Sequence, residues 1–143
     1  VLLSLALIIS LGLSGILLGL DLRDKNPQSS PTTIINAENW SLEKLSSQDR
    51  FIFMDFTAQW CLNCKVNELL IIKTKSFQEL LKKHNVLFLV GDWTKEDPVI
   101  GKWLKEHGAS GVPAYFIQDK KGKITFLGET VFRSEIEKIL QQD

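Results

Sequence analysis

The two cysteines of the chain, Cys61 and Cys64, are three residues apart and lie between an apolar run and a stretch with helical periodicity. The run from Arg50 to Phe56, "RFIFMDF", predicts a strand at the centre of a sheet, because a strand covered on both faces is apolar almost throughout. The stretch from Leu62 to Ile72 predicts a helix. The cysteine pair is therefore expected in the turn between a central strand and a helix.

Cysteines at this spacing share one face of a helix, so their sulfurs can close a disulfide with little movement of the backbone. The first thiol also faces the unpaired N–H groups and the positive end of the helix dipole, which can lower a cysteine pKa from about 8.5 to roughly 3.5 to 7.5. The sequence therefore predicts a redox pair in which Cys61 is the nucleophile and Cys64 resolves the mixed disulfide.

Other uses of a cysteine pair fit the sequence less well. A structural zinc site needs four ligands, and His84 and His107 lie far along the chain at a spacing unlike that of a zinc finger. Covalent haem attachment needs a histidine after the second cysteine, where this chain has Lys65. A disulfide that closes so short a loop adds little stability. We therefore expect no metal and no cofactor beyond the cysteine pair.

Capping residues and apolar runs predict the remaining elements. They are a short helix from Ser41 to Ser46, a helical run "FQELLKKH" capped by Ser76, a strand "VLFLVGDW", a helix from Asp97 to Glu106, a hairpin of "AYFIQ" and "KITFLG" around "DKKG", and a closing helix from Arg133 to Gln141. Their order predicts an α/β fold with a mixed central sheet and helices on both faces.

The first 20 residues, Val1 to Leu20, carry no charge. A helix of this length spans the roughly 30 Å hydrocarbon core of a bilayer. A cleaved signal peptide is the less favoured alternative, because the segment lacks a basic start and a cleavage site of small residues. Residues 21–38 are polar, contain two prolines and predict a flexible linker. Residues 39–143 are predicted to form a single domain. Because the chain begins on valine, we expect it to be either a piece of a longer protein or a processed chain.

Charge gives no indication of a nucleic-acid partner. Lysine plus arginine and aspartate plus glutamate number 17 each, and the two signs are interspersed along the chain. A basic face of the kind that binds phosphates is therefore not expected.

The stretches "DFTAQWCLNCKVNE", "GDWT", "DPVIGKWL" and "GVPAYFI" resemble the C-terminal periplasmic domain of the DsbD family, bacterial transmembrane thiol:disulfide interchange proteins. The resemblance covers Trp40 to the end and implies a thioredoxin fold behind the family's last transmembrane helix. It also implies a location at the bacterial inner membrane, with the domain in the periplasm. Electrons would come from a membrane-embedded redox domain and pass to a periplasmic protein or domain that bears a disulfide.

The resemblance also assigns site residues. Pro113, with Val112, matches a cis-proline loop that receives the substrate strand, and Trp60 completes this docking surface. Asp55 matches a buried acid and Glu68 a second acid near the cysteines, so both would time the resolving step. From the residues alone, Asp55 interrupts an apolar strand, where an unpartnered acid is costly. Glu68, by contrast, could be an ordinary solvated residue of a helix face.

Two positions depart from the pattern of the family. Gln59 stands where relatives often have an acid, and "LN" separates the cysteines where thioredoxin has Gly-Pro, so the reduction potential stays open. Three alternatives remain, namely a tethered reductant for cytochrome c maturation, a non-catalytic binding module of the same fold, and an oxidase. Trp40, Trp93 and Trp103 are expected to pack in the core.

Overall fold

The computed structural model describes residues 35–45 and 49–142. The predicted membrane segment, 1–20, lies outside the described residues, as do linker residues 21–34 and Ser46. Within the described ranges, no helix combines the length and the apolar character that crossing a bilayer requires.

The described residues form a single five-stranded sheet with helices between the strands. The strands are β1 (Glu38–Asn39), β2 (Ile52–Thr57), β3 (Leu87–Asp92), β4 (Ala114–Gln118) and β5 (Ile124–Gly128). The helices are a 3₁₀ helix (Leu42–Leu45), α1 (Leu62–Asn67), a π-helix (Glu68–Ile72), α2 (Lys75–Lys83), α3 (Pro98–Glu106) and α4 (Arg133–Leu140).

The sheet is mixed, with the strand order β1-β3-β2-β4-β5. β1 and β2 pair in parallel with β3, whereas β4 is antiparallel to β2 and β5 is antiparallel to β4. β2 is therefore hydrogen-bonded along both edges, which agrees with its nearly continuous apolar sequence. The predicted mixed sheet and the predicted central strand are confirmed.

Alternate side chains of β2 enter two separate cores, one on each face of the sheet. Phe53 packs in a cluster with α2 and α4, through residues such as Phe77 and Ile136. Phe56 packs on the other face against Trp103 of α3, with ring centroids 5.1 Å apart. Because side chains alternate along a strand, Asp55 shares its face with Phe53. The predicted helices on both faces are confirmed.

The three tryptophans expected in the core pack as predicted. Trp103 is buried, and Trp40 meets it edge to face with ring centroids 5.3 Å apart. Trp93 is partly buried against the same cluster.

The helix predicted from Leu62 to Ile72 is confirmed in its extent, but its second half is a π-helix. α1 ends at Asn67, and the backbone then widens into the π-helix, in which the Lys73 N–H donates to the Glu68 carbonyl at 2.8 Å. The wider turn carries Ile72 into the core. A sequence pattern does not separate the two helix types over so short a span, because their periods differ by less than one residue per turn.

The prediction that Ser76 caps the next helix is wrong. α2 begins at Lys75, and its N-cap is Thr74, whose hydroxyl accepts the Phe77 N–H at 3.4 Å. Thr74 has extended backbone angles, as an N-cap requires, whereas Ser76 already lies inside the first turn. The short helix expected after Ser41 is a 3₁₀ helix that ends at Leu45.

The described residues begin at Ile35, ahead of Asn39, where the sequence analysis places the start of the domain. The Ile35 N–H donates to Gln78 Oε1 at 2.8 Å, and Gln78 Nε2 donates to the Ile72 carbonyl at 2.6 Å. Glu38 pairs with Leu89 in the sheet. The buried Gln78 thus joins the incoming chain to the end of the π-helix.

Substituting Gly91 by alanine is expected to destabilise the domain by about 1 to 3 kcal/mol, the usual cost of overpacking a core. An added Cβ would lie 2.5 Å from Cε1 of the buried Phe56 ring. Gly101→Ala is the matched control, because its Cβ would only touch Trp93 at 3.4 Å, and alanine favours a helix interior. Denaturant unfolding measures both, and equal stability of the two variants would contradict the prediction.

Candidate active site

The cysteine pair lies at the start of α1, where the structure joins the two sulfurs in a disulfide with an S–S distance of 2.07 Å. Their Cα atoms are 5.3 Å apart, within the range that a disulfide allows. Cys61 is the N-cap of α1, and its sulfur accepts the Cys64 N–H at 3.2 Å. This N–H would stabilise negative charge on Cys61 when the pair is reduced. Cys61 is 6% exposed and Cys64 2%, so Cys61 is the more exposed residue of the pair.

The turn that carries the pair is anchored to the end of β3. The Gln59 N–H donates to Thr94 Oγ1 at 2.9 Å, and Trp60 Nε1 donates to the Thr94 carbonyl at 3.1 Å. The Thr94 hydroxyl in turn donates to Asp92 Oδ1, which lowers the pKa of Asp92. The sequence analysis did not identify Thr94 or Asp92 as site residues. Their signal is two polar residues at the end of a buried strand, Asp92 as its last residue and Thr94 two positions later.

The predicted docking residues lie around the disulfide. The Val112–Pro113 peptide bond is cis, and Val112 packs against the cluster of Ala58, Cys61 and Cys64. Trp60, 55% exposed, stands beside the pair in sequence and near Trp93, with ring centroids 6.3 Å apart.

Pro113 opens onto a shallow cavity of about 250 Å³ between α1 and the turn after β5. The Asn67 side chain donates to the Glu129 carbonyl at 2.9 Å and so ties that turn to α1. The cavity is lined by Asn63, Val66, Asn67, Pro113, Glu129 and Thr130.

Asp55 is buried in β2, with 7% of its surface exposed. Its Oδ1 atom has no hydrogen-bond partner among the described residues. Burial raises the pKa of Asp55 to about 7, the negative charge of Glu68 adds to this effect, and the positive charge of Lys65 opposes it. A carboxyl group that titrates near pH 7 can both take up and release a proton under ordinary conditions.

Tyr115 lies opposite Asp55 in the register between β2 and β4. Burial raises the pKa of Tyr115, and the neighbouring Asp55 charge raises it further. The phenol therefore stays neutral over the range in which Asp55 titrates.

Glu68 lies with Asp55 in the wall of a second cavity, of about 450 Å³. It is partly exposed and paired with two lysines, Lys73 at 2.7 Å and Lys65 at 3.6 Å. The hydrogen bond from Lys73 is the main reason that the pKa of Glu68 is lowered. Glu68 therefore stays ionised while Asp55 titrates. The sequence analysis did not identify Lys73 as the partner of Glu68.

The described residues contain no group of three or more His, Cys, Asp and Glu side chains that could hold a metal ion. The cysteine pair can move two electrons by forming or breaking one disulfide. Asp55, with its raised pKa, can take up or release a proton near pH 7.

Comparison with known proteins supports the fold. A family model described as thioredoxin-like matches residues 34–120. Solved structures with a similar fold include the oxidised C-terminal domain of Neisseria meningitidis DsbD, with a TM-score of 0.53 and 24% identity over 66% of this chain and 80% of that one. A DsbH oxidoreductase has a TM-score of 0.59 and 17% identity, covering 81% of this chain and 92% of its own.

A thioredoxin from Trypanosoma brucei brucei has a TM-score of 0.56 and 20% identity, covering 76% of this chain and 95% of its own. At these identities the likeness shows the fold alone, and it confirms the fold class predicted from the sequence. No curated protein matches the chain.

Asp55→Asn is expected to stabilise the oxidised protein more at pH 8 than at pH 4. Because the folded-state pKa of Asp55 is raised to about 7, the folded protein holds a proton that the unfolded chain has lost between about pH 4 and pH 7. The contribution of Asp55 to wild-type stability therefore falls as the pH rises through that window, and the neutral asparagine removes the fall. The difference should be on the order of 3 kcal/mol.

Denaturant unfolding at the two pH values measures this effect. Asp49→Asn, which removes an exposed carboxyl, is the control and should show no such difference. An equal effect of Asp55→Asn at both pH values would mean that Asp55 does not titrate near pH 7.

Proposed function

Because this chain belongs to the thioredoxin-like family, we propose that its Cys61–Cys64 pair reduces disulfides of partner proteins as one step of a DsbD-type electron relay. The observation that carries the proposal is a disulfide at the mouth of a helix, packed against Val112 of a cis-proline loop. The coarser conclusion, a thioredoxin-like thiol:disulfide oxidoreductase fold, rests on the family match and the cysteine pair. The relay is supported by the resemblance of the motifs around the cysteines to the DsbD family.

The first step is attack by the reduced Cys61 thiolate on one sulfur of the partner disulfide. A bond forms between Cys61 Sγ and that sulfur, the partner disulfide breaks, and the other partner sulfur leaves as a thiolate that takes up a proton. The Cys64 N–H, which lies 3.2 Å from Cys61 Sγ, favours the attacking thiolate. Trp60 and the loop of Val112 and Pro113 would hold the partner segment beside the sulfur.

In the second step Cys64 loses its proton and attacks Cys61 Sγ. The Cys61–Cys64 disulfide forms, the mixed disulfide breaks, and the second partner sulfur leaves as a thiolate and is protonated. The partner has then gained two electrons and two protons, which the cysteine pair has lost. In this proposal Asp55 accepts the Cys64 proton, which its pKa of about 7 would allow, and the charge of Glu68 modulates that pKa.

The same proposal assigns partners and place. A membrane-embedded redox domain would return electrons to the oxidised pair, and a periplasmic protein or domain with a disulfide would receive them. Residues 1–20 would anchor the chain in the bacterial inner membrane, because 20 uncharged and predominantly apolar residues match the bilayer core. The domain would then work on the periplasmic side.

The reduction potential of the pair in the full chain tests the reducing direction. Equilibration with glutathione or dithiothreitol buffers should give a value nearer to the roughly −270 mV of thioredoxin than to the roughly −120 mV of DsbA. A value near that of DsbA would indicate an oxidase. The absence of a reversible couple would replace the redox function with a binding role.

The order of the two attacks predicts different behaviour for the two single cysteine variants. With the aromatic disulfide DTNB, reduced wild type should release a second aryl thiolate as its own disulfide closes, whereas Cys64→Ser should stop at a stable adduct after the first. Cys61→Ser should react much more slowly, because Cys64 is 2% exposed. Absorbance of the released thiolate measures all three proteins, and faster reaction of Cys61→Ser than of Cys64→Ser would reverse the assigned roles.

A further inference from the structure

The π-helix creates an ion pair that an α-helix would not allow. In an α-helix, residues five apart are separated by about 140° around the axis and cannot meet. A π-helix bonds residue i to residue i+5, which brings the two onto one face. In this chain the Lys73 N–H donates to the Glu68 carbonyl at 2.8 Å, and the Lys73 Nζ lies 2.7 Å from Glu68 Oε1.

That ion pair lies in the wall of the cavity that contains Asp55. The charged or titratable side chains around Asp55 are Lys65, Glu68 and Lys73 in this wall and Tyr115 on β4. Tyr115 stays neutral, because burial raises its pKa. Glu68 and Lys65 act on the charge of Asp55 directly, and in opposite directions. Lys73 contacts Glu68 and so changes how much of the Glu68 charge Asp55 experiences.

We propose that Lys73 is a positioning residue that acts through Glu68 to set the pH at which Asp55 accepts a proton from the cysteine pair. The inference rests on the proposed function, in which Asp55 takes the Cys64 proton. Lys73 holds the Glu68 carboxylate in the cavity wall and offsets its charge. The balance between the two leaves Asp55 ionised often enough near neutral pH to serve as the base.

Lys73→Met is expected to move the titration of Asp55 upward by roughly half a pH unit, because the Glu68 charge loses its nearest cation. Two readouts follow this shift in the full chain. Carbon-13 NMR of the Asp55 carboxyl reports the titration itself in the oxidised protein. The pH midpoint of the second thiolate release from DTNB reports its effect on the resolving step.

Matched variants separate this role from a structural one. Lys73→Arg keeps the charge and should leave the midpoint unchanged. Lys83→Met removes an exposed lysine of α2 and should also leave it unchanged. Glu68→Gln should lower the midpoint, and Lys73→Met added to Glu68→Gln should have little further effect. Lys65→Met should still shift the midpoint in the Glu68→Gln background, because Lys65 faces Asp55 itself.

The inference is overturned if Lys73→Met leaves the Asp55 titration in place, or shifts it equally with and without Glu68. A matching shift in Lys83→Met would overturn it as well, since any surface lysine would then have the same effect. Failure of the proposed function is seen separately, as a wild type that releases no second thiolate. In that case the NMR titration still decides whether Lys73 controls Asp55.

Discussion

β2 is hydrogen-bonded to β3 along one edge and to β4 along the other, and apolar side chains cover both of its faces. A strand held on every side cannot shift its register without exposing a core, because a slip of one residue turns each side chain to the opposite face. The position of Asp55 inside the domain is therefore fixed, and so is the point at which the chain leaves the sheet toward Cys61. The acid and the sulfurs owe their arrangement to this one strand.

Two cavities border the helical segment that follows Cys61. The shallow one lies between Pro113 and α1. The other surrounds Asp55 and is walled by charged side chains of the active-site helix. Burial alone would keep Asp55 protonated well above the usual range of an aspartate. The opposite effects of Lys65 and Glu68 adjust that tendency, so the helical segment that follows Cys61 carries the charges that adjust the pKa of Asp55.

The sequence predicted most of the fold because its strongest signals are local. An apolar run predicted β2, and a proline after Asp97 predicted the start of α3, where Asp97 Oδ1 accepts the Val99 N–H at 2.8 Å. The cysteine spacing predicted the disulfide. The location of Glu68 was harder to predict, because its surroundings depend on the π-helix. Thr94 was missed for a related reason, since its role depends on two strands that meet only in the folded sheet.

Residues 35–37 form part of the wall around Asp55. The Gln78 side chain holds Ile35 there by accepting a hydrogen bond from the Ile35 N–H. The incoming chain is thus a piece of the acid's enclosure as well as a connection. A fragment cut to begin at Asn39 would lose this wall, together with Glu38 of β1. Water would then come closer to the carboxyl group and weaken the desolvation that is the main cause of its raised pKa. The first residue chosen for a truncated protein therefore affects the pKa that a titration of Asp55 would measure.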